Sequence, residues 1–238
     1  LLSGKTHNSF SFQEYGSITE SILKSPKNVY DILIHEESDL WIDSMVQEVN
    51  ALIENGTYTL HDREEAVKTG QIIPVVWVFK QKSDGRRKSR LCTRGDKQLE
   101  PSFSTYSPAS QLATIRLAIT FYIGQNYLMS SLDIPNAFCK ADMLPVDGEI
   151  YLTQPPELFN GKVQVEELKE LSKIPNLTRK MIKLRLKKQP NKVLKLHRTL
   201  YGLLQSALRW QQTLKTALFE YGFKQSILDP VLFYYKQD

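Results

Sequence analysis

Two strand-forming segments joined by a tight turn are the feature that most restricts the possible folds of this 238-residue chain. Residues 75–82 read VVWVFKQK and residues 86–93 read RRKSRLCT. The first run is rich in β-branched and aromatic side chains, which favour strands. Ser83, Asp84 and Gly85 stand between the runs, and Asp-Gly in that position is a strong signal for a β-hairpin. We therefore predict a two-stranded arm, so the fold has to include strands.

The predicted hairpin is strongly basic. Clustered cations attract phosphates because their binding releases counterions, so the arm is a candidate clamp for a polyanion. An edge hairpin kept soluble by Lys and Arg is the alternative, and the residues alone leave both open. The basic residues on or beside the hairpin are Lys80, Lys82, Arg86, Arg87, Lys88, Arg90, Arg94 and Lys97.

Charge is distributed unevenly along the chain, although the formal net charge is only +5. Residues 1–60 hold 3 basic and 9 acidic residues, whereas residues 161–198 hold 12 basic and 3 acidic residues. The segment 161–192 is Lys-rich and interrupted by two prolines. We predict that it is a basic insertion that forms a surface excursion.

The remaining pattern predicts an α+β fold. Residues 1–37 are polar and are typical of a connector, so we expect the folded part to span 38–238. Two cysteines without a C-x-x-C spacing fit a reducing compartment. Apolar spacing predicts helices near 38–54, 109–126 and 203–221, and short apolar runs predict strands over 127–134, 193–196 and 231–235.

One carboxylate occupies a position that suits chemistry. Asp133 lies near the end of the predicted strand 127–134 and comes shortly before Pro135. A carboxylate at the end of a strand can meet a metal ion or a ligand in a crevice. An aspartate that caps the next turn is the alternative that the residues alone leave open.

Six blocks in a fixed order resemble the copia-type (pseudovirus) LTR-retrotransposon reverse transcriptases. Together the blocks cover most of the chain after the connector, and their order makes the resemblance specific. They are Trp41 through Leu60, the hairpin with Trp77-Val78-Phe79-Lys80, Lys88-Ser89-Arg90-Leu91, Gly95 and Gln98, then Ser107-Pro108 with Ile115-Arg116, LDIPNAF (132–138), EIYLTQPPEL (149–158) and LYGLLQS (200–206).

The resemblance implies the fingers and a partial palm of a right-hand polymerase, with the basic hairpin in the fingers and an incomplete palm sheet. It implies an RNA-directed DNA polymerase domain, a nucleotidyltransferase, from a copia-type Pol polyprotein. Asp133 matches the catalytic, metal-binding aspartate, with the Ile134 backbone carbonyl as a second metal contact. The implied nucleotide-binding residues are Lys80, Lys82, Lys88, Arg90, Phe138, which matches an aromatic gate beneath the sugar, and Gln205.

The same resemblance implies cofactors, partners and a location. It implies Mg²⁺ or Mn²⁺, an RNA or DNA template-primer, deoxynucleoside triphosphates, and the remainder of the Pol polyprotein with its integrase and ribonuclease H. We expect the cytoplasm, with virus-like particles and the nucleus as further locations. The family's Tyr-Val-Asp-Asp motif, expected after 231–235, does not occur up to Asp238. We therefore expect a fragment or degenerate copy that is inactive alone; a non-catalytic nucleic-acid-binding remnant that uses the hairpin and the insertion is the alternative.

Overall fold

The computed structural model describes residues 25–235, so most of the predicted connector and the last three residues lie outside it. The fold is mixed α+β, which confirms the predicted class. The elements in chain order are α1 (Val29–Leu33), α2 (Ser38–Glu54), β1 (Tyr58–Asp62), α3 (Arg63–Thr69), β2 (Gly70–Ile73), β3 (Val75–Gln81), β4 (Arg87–Thr93), α4 (Leu112–Gly124), β5 (Glu149–Thr153), β6 (Leu158–Phe159), β7 (Lys162–Val163), α5 (Val165–Ser172), α6 (Arg179–Arg185), β8 (Lys192–Leu196), α7 (Ser206–Glu220), β9 (Lys224–Gln225) and β10 (Phe233–Tyr234).

The chain forms two compact units, each built from three separate stretches. Among the described residues, the first unit contains 25–51, 75–92 and 154–190, and the second contains 52–74, 93–153 and 191–235. The hairpin of β3 and β4 therefore belongs to the first unit except for its last residue. None of the helices between residues 25 and 235 has the length and apolar character needed to cross a membrane.

The core of the first unit joins α2, the hairpin and the insertion. Trp41 of α2 is buried and its ring meets Phe79 of β3 edge to face, with centroids 5.9 Å apart. Leu168 and Leu171 of α5 belong to the same buried cluster, as does Ile182 of α6. Burying such side chains removes apolar surface from water, which is the main stabilising contribution in a core.

The insertion is therefore core, and the surface excursion predicted for 161–192 is wrong. Its lysines suggest a solvated segment, but leucines three residues apart give α5 one apolar face, and that face is buried. The last part of the predicted connector 1–37 is also part of the core. Helix α1 contributes Val29, Ile32 and Leu33 to this core.

The second unit contains a four-stranded sheet in the order β1-β8-β5-β2. β8 pairs antiparallel with both β1 and β5, whereas β2 and β5 are parallel. The sheet is small, and its buried cluster includes Ala66 of α3, Tyr151 of β5 and Val193 of β8. The strand predicted at 193–196 is confirmed as β8.

Two predicted strands differ in the structure. Residues 127–134 form no strand, and Leu128 and Leu132 are 99% and 89% exposed. A strand needs a neighbour to pair its backbone amides and carbonyls, and no segment within 25–235 pairs with this one. The run 231–235 is reduced to β10, which pairs only with β9. The apolar composition was read correctly, but composition does not supply a pairing partner.

Candidate functional site

The basic hairpin forms as predicted, and its turn is closed by local hydrogen bonds. The Lys82 amide donates to the Arg86 carbonyl at 2.9 Å, and Gly85 supplies the positive φ of +83° that the turn requires. Along β3, Phe79 is buried, whereas Lys80 is exposed. Lys82 is also exposed, and neither lysine makes a salt bridge to a residue between 25 and 235. These two side chains are open to a ligand.

The basic residues of β4 face an acidic partner that sequence reasoning missed. Glu48 of α2 has a side chain only 1% exposed, and its Oε2 lies 3.4 Å from Lys88 Nζ. Burial raises the pKa of Glu48, and the attraction of Lys88 and Arg90 opposes that rise. Lys88 and Arg90 therefore help to neutralise a buried carboxylate. Glu48 follows Met45 by three residues, so it lies on the apolar face of α2. A charged residue on an apolar helix face was the sequence signal that could have predicted a buried ion pair.

A second ion pair fixes the start of β4. The Arg87 guanidinium pairs with the Glu37 carboxylate just before α2, and this pairing lowers the pKa of Glu37. Ser44 and Ser89 add a buried hydrogen bond between α2 and β4. The polar contacts between the hairpin and α2 are thus made by β4, whereas Lys80 and Lys82 on the β3 side are exposed.

The predicted catalytic carboxylate lies in the second unit. Asp133 is exposed on an irregular segment, and Ile134 is half-buried. Within the described part of the chain, no three His, Cys, Asp or Glu side chains come together in a way that could hold a metal ion. A divalent ion at Asp133 would therefore need further oxygen ligands, such as water, substrate phosphates or other carboxylates.

Phe138 lies in a 3₁₀ turn that follows Asp133. The turn spans Ala137–Lys140, and the Phe138 ring packs against Tyr201 with centroids 5.5 Å apart. The Thr199 hydroxyl donates to the Phe138 carbonyl at 2.6 Å. Side chain and backbone of Phe138 are therefore both held by the segment that precedes α7.

Gln205 is buried at the start of α7, with 1% of its surface exposed. The Gln98 Nε2 donates to Gln205 Oε1 at 2.8 Å, and Gln98 Oε1 accepts from the Leu204 amide at 3.0 Å. Two hydrogen bonds thus join Gln98 to the block at 200–206, with Gln205 107 positions away. The side-chain carbonyl of Gln205 is engaged inside the protein, and its contact with a nucleotide stays a prediction.

Two glycines allow the backbone of residues 93–98 to lie against the backbone of residues 200–206. A methyl group at Gly95 would overlap the Gly202 carbonyl oxygen, and one at Gly202 would overlap the Thr93 carbonyl oxygen. The Thr93 amide donates to the Tyr201 carbonyl at 2.7 Å, so the backbones run in direct contact here. Only glycine permits so close an approach.

A buried ion pair that sequence reasoning did not single out holds α7 in the second unit. The Arg209 guanidinium donates to the Asp147 carboxylate, with Nη2 2.7 Å from Oδ1, and both side chains are almost fully buried. Arg209 also lies over the Phe103 ring, 4.9 Å from its centroid. Nothing in the local sequence pattern pairs residues 62 positions apart.

Comparison with known proteins places these residues in a recognisable context. The family model described as reverse transcriptase (RNA-dependent DNA polymerase) matches residues 55–174. A retrovirus-related Pol polyprotein from transposon RE2 of Arabidopsis thaliana is 29% identical over 205 residues, which cover 83% of this chain and 12% of that protein. The transposon Ty1-ER2 Gag-Pol polyprotein of Saccharomyces cerevisiae is 27% identical over 193 residues, 78% of this chain and 9% of that protein. No solved structure matches the chain.

Proposed function

The chain belongs to the reverse transcriptase (RNA-dependent DNA polymerase) family and is similar to copia-type Pol polyproteins, and on that basis we propose that it takes part in RNA-directed DNA synthesis. The observation that carries the proposal is the family match over 55–174, which includes the basic hairpin, Asp133 and Phe138. The chain spans only 12% of the Arabidopsis relative. We propose that the activity is that of a Pol polypeptide that contains these residues.

The two units correspond to two parts of a right-hand polymerase in this proposal. The first unit, with the basic hairpin, is assigned to the fingers, and the second unit, with Asp133, Phe138 and Gln205, to the palm. Family membership supports this assignment, as does the separation of hairpin and aspartate into different compact units.

The charges of the hairpin suit the proposed substrates. Exposed Lys80 and Lys82 would attract the triphosphate of a deoxynucleotide or the template backbone as fixed positive charge. Lys88 and Arg90 would act mainly by holding the hairpin on α2, because their charge is directed at buried Glu48. This divides the four predicted phosphate-binding residues into two roles.

Phe138 and Asp133 have distinct roles in the proposal. The Phe138 ring, held from behind by Tyr201, would limit the space at the 2′ position of an incoming sugar. Asp133 and the Ile134 carbonyl would contribute ligands to a divalent ion, Mg²⁺ or Mn²⁺, whose charge stabilises transferring phosphates. We propose that water, substrate phosphates and carboxylates of the remaining Pol polypeptide supply the other ligands.

The partners follow from the reaction and from the relatives. We propose an RNA or DNA template-primer, deoxynucleoside triphosphates, and the remainder of a Pol polyprotein with integrase and ribonuclease H. The two relatives compared are themselves Pol and Gag-Pol polyproteins. A cytoplasmic location, or one inside virus-like particles or the nucleus, belongs to the same proposal.

A second candidate function is nucleic-acid binding without synthesis. It is favoured by Lys80 and Lys82 of the hairpin, which are exposed. Primer extension on an RNA template by the Pol polypeptide that contains these residues separates the two candidates. Incorporation of deoxynucleotides supports the polymerase, whereas retained RNA binding without incorporation supports the second candidate.

A further inference from the structure

Helix α6 of the insertion has one face buried and the other open. Ile182 and Leu186 are buried in the core of the first unit. The Thr178 side chain accepts a hydrogen bond from the Met181 amide and caps the helix start. The helix is therefore fixed on the unit, and whatever its outer face carries is presented in a defined position.

Acidic partners neutralise Lys169, Lys173 and Lys187 of the insertion, and Lys192 at its end pairs with Asp62. Lys169 Nζ lies 3.5 Å from Asp43 Oδ1, and Lys173 Nζ lies 2.8 Å from Glu170 Oε1. Lys187 Nζ lies 2.9 Å from Glu167 Oε1. We call Lys169, Lys173 and Lys187 the paired lysines.

Three other lysines, on or just after α6, have no such partner. Lys180, Lys183 and Lys188 are exposed, and none of them makes a salt bridge within the described residues. Lys180 and Lys183 are three residues apart on α6, so they lie on neighbouring positions of its surface. We call these three the open lysines.

We propose that the open lysines form a second nucleic-acid-binding surface, which contacts the phosphate backbone of single-stranded RNA in addition to the hairpin. Cations without protein partners are accompanied by mobile ions, and a polyanion that replaces those ions gains affinity. The paired lysines have carboxylates beside them, so they gain less from a phosphate. Because α6 is anchored in the core, little ordering is needed on binding. The proposal rests on the nucleic-acid-binding candidate function, to which it assigns a second surface, and it does not depend on DNA synthesis.

Among polyanions, a nucleic acid fits this surface better than a membrane. A helix that lies on a membrane needs an apolar face directed into the lipid. The apolar face of α6 is buried in the core, and Leu184, which is 75% exposed, is the large apolar side chain left outside on this helix. The outer face of α6 therefore offers positive charge for phosphates, but a single exposed leucine is too little to anchor it in a membrane.

The test compares two triple variants of the full chain. The first replaces the open lysines (Lys180→Gln, Lys183→Gln, Lys188→Gln), and the second replaces the paired lysines (Lys169→Gln, Lys173→Gln, Lys187→Gln). Binding to a fluorescent 20-nucleotide single-stranded RNA is measured by anisotropy across a salt series without metal or nucleotides. Each phosphate contact on a single strand contributes about 0.7 to the slope of log affinity against log salt. We expect the slope to fall by about 2 in the open-lysine variant and much less in the paired-lysine variant.

Equal losses in the two variants, or an unchanged slope in the open-lysine variant, would overturn the proposal. The proposal would also be overturned if the open-lysine variant bound RNA normally but no longer bound vesicles that contain anionic lipid. Melting temperatures exclude unfolding, and if the triple variant unfolds, the pair Lys180→Gln and Lys183→Gln is tested, with an expected slope change of about 1.4. The assay includes no synthesis, so its failure leaves the polymerase proposal untouched.

Discussion

At the residue scale, the hydrogen bond between Gln98 and Gln205 joins two distant sequence blocks. Replacement of Gln205 by Ala leaves the Gln98 amide without its acceptor, and we expect the free energy of unfolding to fall by about 1–3 kcal/mol. A double-mutant cycle with Gln98→Ala should give a coupling energy of about 1 kcal/mol. Urea unfolding of the four proteins measures both quantities.

The control for this cycle is Gln125→Ala, because Gln125 is exposed at the end of α4. Its effect should stay within about 0.5 kcal/mol, as for ordinary surface positions. A Gln205→Ala variant as stable as the unchanged chain would show that Gln205 has no structural role.

Glu48 should make stability depend on pH in a defined direction. Burial raises its pKa in the folded chain above the ordinary value of 4.5, so between about that pH and the raised pKa the unfolded state binds fewer protons than the folded state. The contribution of Glu48 to stability therefore falls as pH rises from 4.5 through the raised pKa. Relative to Glu48→Gln, the unchanged chain should lose stability over this interval in urea unfolding.

Glu54→Gln on the same helix provides the comparison, since Glu54 is exposed. The stability difference between the unchanged chain and this variant should vary less with pH. If the Glu48→Gln difference is as flat, the buried carboxylate is not the source of the dependence. Lys88, Arg90 and Cys92 stand near Glu48 and remain in both variants.

Residue roles in the hairpin show how far sequence reasoning reaches. The turn at Asp84-Gly85 and the basic character were predictable, because both depend on neighbours along the chain. Which cations face solvent was not predictable. Lys88 meets Glu48, 40 residues earlier in the sequence, and only the packing of α2 on β4 brings them together.

At the element scale, the insertion provides a direct test of burial. Leu168 of α5 is fully buried in the core, so Leu168→Ala should lower the free energy of unfolding by about 2–5 kcal/mol. Leu184→Ala makes the same chemical change at an exposed position of α6 and should cost less than about 0.5 kcal/mol. Thermal or urea unfolding of the two variants gives the comparison. If both variants lowered the free energy of unfolding by similar, small amounts, the insertion would be the surface excursion that the sequence predicted.

Elements with a strong local pattern were predicted well, whereas elements that depend on a partner were not. The helical spacing that begins at Ser38 and stops before Asn55-Gly56 gives α2 with its observed ends. The run 127–134 has the apolar residues expected of a strand, yet it forms none, because no described segment pairs with it. In 161–192 the lysines favour a surface segment and the leucine spacing favours a buried helix face, and the structure agrees with the leucine spacing.

At the scale of the whole molecule, both units are assembled from interleaved stretches. The predicted single folded part 38–238 could not anticipate this, since sequence patterns report local periodicity and not which distant stretches pack together. The family resemblance was recognisable because its six blocks keep their order along the chain. What the blocks build in space, such as the contact between Gly95 and Gly202, required the structure.

We propose that these residues belong to a polymerase in which Asp133 binds metal for DNA synthesis. The most direct measurement is Mg²⁺-dependent primer extension on an RNA template by the Pol polypeptide that contains them, with Asp133→Asn against Glu100→Gln, another exposed acid of the second unit. The account predicts that Asp133→Asn lowers incorporation by at least about 100-fold, the scale on which loss of one charge-stabilising group is felt. RNA binding should be unchanged, and Glu100→Gln should incorporate normally. Normal synthesis by Asp133→Asn, or an equal loss in both variants, would contradict the account.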